Sequence, residues 1–287
     1  LPDVTCDFSE VCLRQNGKNA VQVSGAKGRS APNDYKTCLT YSDGFRGGHL
    51  FQFYGIDADK KALVYANAAL RRSENTLRNK NLESFSEISK EIIGAESHFG
   101  SQANNKNVRE VAIKVAVRHP DSIGVGVFLK EATGLGLSAP PGLSGFAGAR
   151  PKPSPVMSLF SFLTPKSEVE IKVQDLDHSI IMEHPPREIE NEDMTRLKIQ
   201  KIDLNQPMTL VPIIRLAYAR SGDKGNGANI GVIARKKEFL PYLWHGLTEV
   251  VINDIFGHFN TGRIKKYLLP GINAMNIQLD SVLGGNG

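Results

Sequence analysis

Two apolar runs, Val211 to Ala219 and Ile230 to Ala234, are separated by the polar stretch Arg220-Ser221-Gly222-Asp223-Lys224-Gly225-Asn226-Gly227-Ala228-Asn229. This pattern leaves a chain few options. The apolar runs are strand-like, and the glycine-rich stretch places a flexible, charged loop at one end of a sheet. Gly222, Gly225 and Gly227 allow positive φ, so successive backbone N–H groups can converge on an anion. Glycines this dense are costly to order unless the backbone must turn or approach something closely. Arg220 and Lys224 add positive charge, and Asp223 is an acid or an orienting acceptor that would pair with either of them or cap the loop's own N–H groups. Ser221, Asn226 and Asn229 complete the candidate set with a hydroxyl and two amides. The same residues also describe a polar hairpin whose charges face water, and the pattern alone leaves both readings open. The Gly-Asp-Lys-Gly order lacks P-loop spacing and leads into a strand, which disfavours a nucleoside triphosphatase.

The stretch Leu216 to Arg235 (LAYARSGDKGNGANIGVIAR) closely resembles the signature of the acyclic terpene utilisation family, in that family's small C-terminal domain. Pro2 to Ser9 (PDVTCDFS), Val23 to Arg29 (VSGAKGR), Ala139 to Pro155 (APPGLSGFAGARPKPSP) and Leu269 to Asn276 (LPGINAMN) resemble further family segments in the expected order. The resemblance implies a ferredoxin-like fold for the small domain and a role in degrading acyclic isoprenoids such as citronellol and geraniol, on CoA thioesters. It implies that the Arg220 to Asn229 loop, with Arg150 and Lys152, holds the phosphates or carboxylate of an acyl-CoA-like substrate. Asp223 would be the acid or base, with Lys224 beside it as the second catalytic candidate. No reaction is assigned, and no cofactor beyond a CoA thioester substrate is implied. Family chains begin with a large N-terminal α/β region, none of which precedes Leu1, so the chain is expected to be the C-terminal part of a longer polypeptide, with the remainder as a partner.

A chain of 287 residues accommodates two domains, and 40% hydrophobic with 23% charged residues builds real cores. The net charge of +5, from 35 basic against 30 acidic residues, is spread thinly. No Lys/Arg block interleaved with aromatics occurs, so nucleic acid is a weak partner, whereas anionic small molecules suit the balance. Cys6, Cys12 and Cys38 are odd in number and lack zinc-ligand spacing, so they are expected as small buried hydrophobes in a reducing compartment. The sequence contains no span-length apolar run and no leader at Leu1, consistent with a cytoplasmic or mitochondrial-matrix setting.

The expected fold class is α+β or α/β, with a larger mixed domain followed by a small α+β sandwich. Val11 to Gln15 and Ala20 to Ser24 flank a turn-like Asn-Gly-Lys-Asn, and Lys36 to Tyr41 and His49 to Tyr54 flank a second glycine-rich connection. Asp57 is placed to cap a helix with Ala62, Leu63, Ala66, Ala69 and Leu70 on one stripe, and Leu82, Phe85, Ile88 and Ile92 suggest a second helix. Val111 to Val117 alternates as a half-buried strand, stopped by His119-Pro120-Asp121, where Asp121 can cap a helix toward Glu131 and His119 is a strand-end residue. Thr133 to Pro155 is too rich in glycine and proline for regular structure. Its residues Leu137, Leu143 and Phe146 suit an arm packed on a neighbour, and stiffly presented Arg150 and Lys152 suit a substrate site.

Residues 1–173 are read as the core region, 174–207 as a solvated linker and 208–287 as the small domain. His178 and His184, with Glu183 between, do not form a trusted metal motif, and no metal is expected. One amphipathic helix carries Leu240, Leu243, Trp244, Leu247, Val250, Val251 and Ile255. The competing functional class is a non-catalytic assembly portion of an oligomer, with the arm and the small domain forming subunit contacts.

Overall fold

The computed structural model describes residues 1–104, 107–145, 150–182, 199–202, 208–259 and 262–283. Phe146, Glu183, His184, most of the polar stretch after residue 182 and the C-terminal glycines lie outside the described residues. The architecture is mixed α/β and mostly sheet. Cα packing divides it into two compact units, Leu1–Leu39 with Leu159–Gly287, and Thr40–Ser158.

The chain opens with four short strands: β1 (Thr5–Asp7), β2 (Cys12–Gln15), β3 (Val21–Ser24) and β4 (Lys27–Arg29). β1 pairs with β4 and β2 with β3, so the expected first hairpin is present. Arg29 Nη2 meets Asp7 Oδ2 at 2.5 Å. Cys6, Cys12 and Cys38 are all exposed, which corrects the expectation of buried thiols. Cys6 and Cys12 lie on two-stranded ribbons, which have no second layer under which a side chain can be buried.

A larger correction follows at β5 (Asp34–Tyr54), one continuous strand of 21 residues where two strands and a connection were expected. The glycines that suggested a turn serve close packing instead. A Cβ on Gly47 would lie 2.6 Å from Val125 Cγ1, and Gly44, at φ 78°, has the His119 carbonyl oxygen 2.7 Å from where its Cβ would sit. Helix α1 (Ala58–Asn79) buries Ala58, Ala62, Tyr65, Ala66, Ala69, Leu70, Ser73 and Leu77 along one face. Leu63, expected on that face, is 40% exposed. Asp57 occupies the N-cap position but adopts φ 54° and makes no side-chain cap; its carboxylate takes Lys60 Nζ at 2.9 Å. Residues Glu87–Ile93 form strand β6, not the second helix, with Ile92 opposite Ile113 in a ladder. The spacing of Leu82, Phe85, Ile88 and Ile92 fits a helix, but the pairing partner decided the conformation.

β7 (Glu110–His119) keeps the expected alternation, with Val111, Ile113, Val115, Val117 and His119 buried. α2 (Ser122–Gly134) starts at Asp121, whose side chain accepts from the Ile123 N–H. His119 is a structural residue: Nδ1 accepts from the Asp121 N–H at 2.9 Å and Nε2 donates to the Glu83 carbonyl at 3.0 Å. β8 (Leu143–Gly145) and β9 (Ser154–Pro165) both pair with β5, giving the sheet β6-β7-β5-β8 with β9 off the main path. Ile113 of β7 and Val125 and Phe128 of α2 lie wholly inside, between the sheet and the helices, each burial contributing about 1.5–3 kcal/mol.

β10 (Ile171–Asp175) and β11 (His178–Met182) form a hairpin across the position where the solvated linker was expected to begin, and every β11 residue is exposed. Next come β12 (Ala217–Lys224) and β13 (Gly227–Ala234), then two short helices in place of the one expected, α3 (Leu240–Gly246) and α4 (Glu249–Phe256). The break falls after Gly246, where Thr248 Oγ1 accepts from the Val251 N–H and starts a new helix. β14 (Ile264–Leu269) and β15 (Ala274–Leu279) complete an antiparallel sheet in the order β12-β13-β15-β14. Leu240, Leu243 and Ile252 join Val232, Met275, Ile277 and Leu279 in its core. Trp244 packs against this core, and Lys266 caps α3 by donating to the Trp244 and Leu247 carbonyls at 2.6 and 2.8 Å. Burial holds the Lys266 ammonium below its ordinary pKa. Among the described residues no helix is long and apolar enough to cross a membrane.

Candidate functional site

The stretch Arg220 to Asn229 is a regular ladder, not an open loop. Arg220 pairs with Gly231, Ser221 with Ile230, Gly222 with Asn229, Asp223 with Ala228 and Lys224 with Gly227, leaving only Gly225 and Asn226 in the turn. Gly225 has φ 65° while Asn226 does not cross into positive φ, the pattern of a type II′ hairpin with glycine at its first central position. Gly222 and Gly227 stay in the extended region, so the cluster of N–H groups expected from three positive-φ glycines is not formed. Their backbone is committed to the ladder.

The ladder sorts the candidates by face, because neighbours along a strand point to opposite sides. Arg220, Gly222, Lys224 and Asn229 share one face. Ser221 and Asp223 point to the other. Asp223 therefore pairs with neither Arg220 nor Lys224, and among the described residues none of these three forms an ion pair. Lys224 Nζ instead donates to the Asp223 carbonyl at 2.7 Å. The register extends the shared face across the sheet: Gly222, Asn229, Gln278 and Lys265 form one cross-strand row, and Arg220, Gly231, Asn276 and Tyr267 the next. Core residues Val232, Met275 and Ile277 belong to the opposite face, beneath the helices.

Asn229 is the centre of this surface. Its Nδ2 donates to Asn276 Oδ1 at 2.8 Å, while its Oδ1 is buried and takes no donor from the described residues. A Cβ on Gly222 would stand 3.2 Å from that oxygen and 3.4 Å from Lys224 Nζ. Lys224 thus hangs over the bare glycine beside an unsatisfied acceptor. Lys224 is exposed, and among the described residues its ammonium is bonded only to the adjacent Asp223 carbonyl. Arg150 and Lys152 are exposed and belong to the other compact unit.

A second cluster carried no sequence signal, because its members lie far apart in the chain. Arg118 Nη2 donates to Asp43 Oδ2 at 2.6 Å and to the Asp43 carbonyl at 3.2 Å, and Nη1 to Glu87 Oε2 at 3.2 Å. Ser158 Oγ donates to the same Asp43 oxygen at 2.6 Å. The Ser158 hydroxyl and the Arg118 guanidinium hold the Asp43 carboxyl below its ordinary range. Burial pulls the Arg118 pKa down, but its bonds to Asp43 and Glu87 outweigh that and raise it. A cleft of about 390 Å³ opens beside this cluster.

Residues 1–174 match a protein family described as acyclic terpene utilisation family protein AtuA, and residues 211–287 match the AtuA ferredoxin-like domain. No curated protein and no solved structure matches the chain.

Proposed function

Because the chain belongs to the acyclic terpene utilisation family, which carries a general role in acyclic terpene utilisation, we propose that it serves the breakdown of citronellol- and geraniol-type isoprenoids as acyl-CoA-like thioesters, and that the open face of β12 and β13 holds the anionic part of the ligand. One observation carries this reading: Arg220 and Lys224, both without an ion-pair partner among the described residues, share a face with the bare Gly222 and with Asn229 Oδ1, which takes no donor from those residues. Charge-assisted bonds from two such cations are worth about 1.5–3 kcal/mol each when sheltered. Asp223, on the opposite face, is less suited to acid–base work on a ligand held there, so we assign the face to binding and leave the reaction unnamed.

Calorimetric titration of CoA into the parent protein and Lys224→Ala tests the assignment. The variant should fold normally and bind at least tenfold more weakly, about 1.4 kcal/mol. Equal affinity in the two proteins would remove Lys224 from the site, and no binding to the parent would remove the face itself.

A second reading, that the chain is a non-catalytic assembly portion, draws on Leu159, Phe160, Phe162 and Leu163, apolar residues of β9 that are 49%, 57%, 41% and 67% exposed. Sedimentation at micromolar concentration separates it: a monomer with this strand uncovered speaks against assembly.

A further inference from the structure

The cleft beside Arg118 lies wholly within the unit Thr40–Ser158, and its chemistry differs from that of the C-terminal sheet. Two carboxylates face one guanidinium, leaving the cluster a formal charge of about −1. These three groups therefore carry no net positive charge to attract an anion. The lining offers an isoprenoid chain little, since Pro120 is its largest apolar member. The lining does hold unused hydrogen-bonding capacity. Asp43 and Glu87 each engage the protein through one oxygen, Oδ2 and Oε2, so Asp43 Oδ1 and Glu87 Oε1 take no donor from the described residues. Ser86 also contributes to the lining, and among the described residues its hydroxyl makes no hydrogen bond.

Acceptors and a hydroxyl side by side call for a ligand whose groups donate and accept at once, which a hydroxyl does and an ammonium does not. An ammonium would also meet the Arg118 cation at close range. We propose that this cleft binds a small uncharged polyol of sugar type, with vicinal hydroxyls donating to Asp43 Oδ1 and Glu87 Oε1 and a further hydroxyl accepting from Ser86. The volume, about 390 Å³, is at the lower end of small-molecule sites and suits a single sugar ring.

Ligand-observed NMR titration of the whole chain with D-ribose, 2-deoxy-D-ribose, putrescine and inorganic phosphate tests this. D-ribose should bind, and 2-deoxy-D-ribose, lacking one hydroxyl of the pair, should bind at least tenfold more weakly. Putrescine and phosphate should not compete. Glu87→Gln should weaken D-ribose at least tenfold, with the melting temperature read in parallel to separate binding from folding. Ser86→Trp fills the cleft while leaving both ion pairs in place, and should abolish D-ribose binding without lowering the melting temperature. The proposal is overturned if D-ribose fails to bind, if putrescine displaces it, or if Ser86→Trp binds D-ribose as the parent does. None of these outcomes bears on CoA binding at the C-terminal sheet, so the two assignments fail separately.

Discussion

On β7, Arg118 is held by two carboxylates, and one of those is held in turn by a serine hydroxyl; on β12, Arg220, Asp223 and Lys224 stand within one strand and form no ion pair among the described residues. Both strands belong to antiparallel sheets with helices over one face. The difference lies in how the partners were brought together. Arg118 and Asp43 are 75 residues apart and meet because β5 runs beside β7, whereas Asp223 and Lys224 are adjacent and are kept apart by the alternation of a strand. Paired, half-buried charges hold a fold together. Unpaired charges on an open face cost little and remain available to a ligand.

Breaking the first region should have the largest effect. Arg118→Met leaves Asp43 and Glu87 facing each other without their cation, and is expected to lose about 3 kcal/mol of unfolding free energy in urea. A loss below about 0.5 kcal/mol would mean that the cluster is no more than a surface pair. Gly47→Ala should follow, at about 2 kcal/mol, because the new methyl group would meet Val125 Cγ1 at 2.6 Å beneath α2. Unchanged stability there would show that β5 and α2 separate easily, and that a turn-like reading of these glycines has merit.

The pH response sharpens the same contrast. The Asp43 pKa in the folded state lies below its ordinary value of 3.8, so its contribution is complete above that value and is lost as pH falls through the depressed one. Melting temperature should therefore drop below about pH 4, and Asp43→Asn should flatten part of that drop; an identical acid profile in the variant would discount the Arg118 and Ser158 contacts. The smallest stability effect belongs to the second region. Lys224→Ala and Arg220→Ala should each change unfolding free energy by less than about 0.5 kcal/mol, even where CoA affinity falls. A larger loss would show that the hairpin's charges support the fold after all.

Some of this was legible along the chain. β7 was visible from its alternation, α2 from Asp121 at its start, and the β12–β13 pair from its apolar runs. Arg220, Gly222, Lys224 and Asn229 were singled out as binding candidates from their place in one polar stretch, and the ladder sets them on one face. Their division from Ser221 and Asp223 required knowing that the ladder continues to Lys224. Glycine was the main source of error. It serves both a turn and a close approach, and the residues from Gly44 to Gly48 gave no local sign of which.

The sequence by itself determined the elements whose reasons are local: periodicity in β7, capping at Asp121, and a glycine able to take positive φ at Gly225. Tertiary structure decided the rest. It made Glu87–Ile93 a strand by offering β7 as a partner, drew β5 through its glycines because α2 lies against them, and assembled Asp43, Glu87 and Arg118 from three strands. The physical reason is common to all three. A backbone hydrogen bond, a close approach and an ion pair each depend on a neighbour that is near in space and distant in the chain, and local propensity carries no record of it.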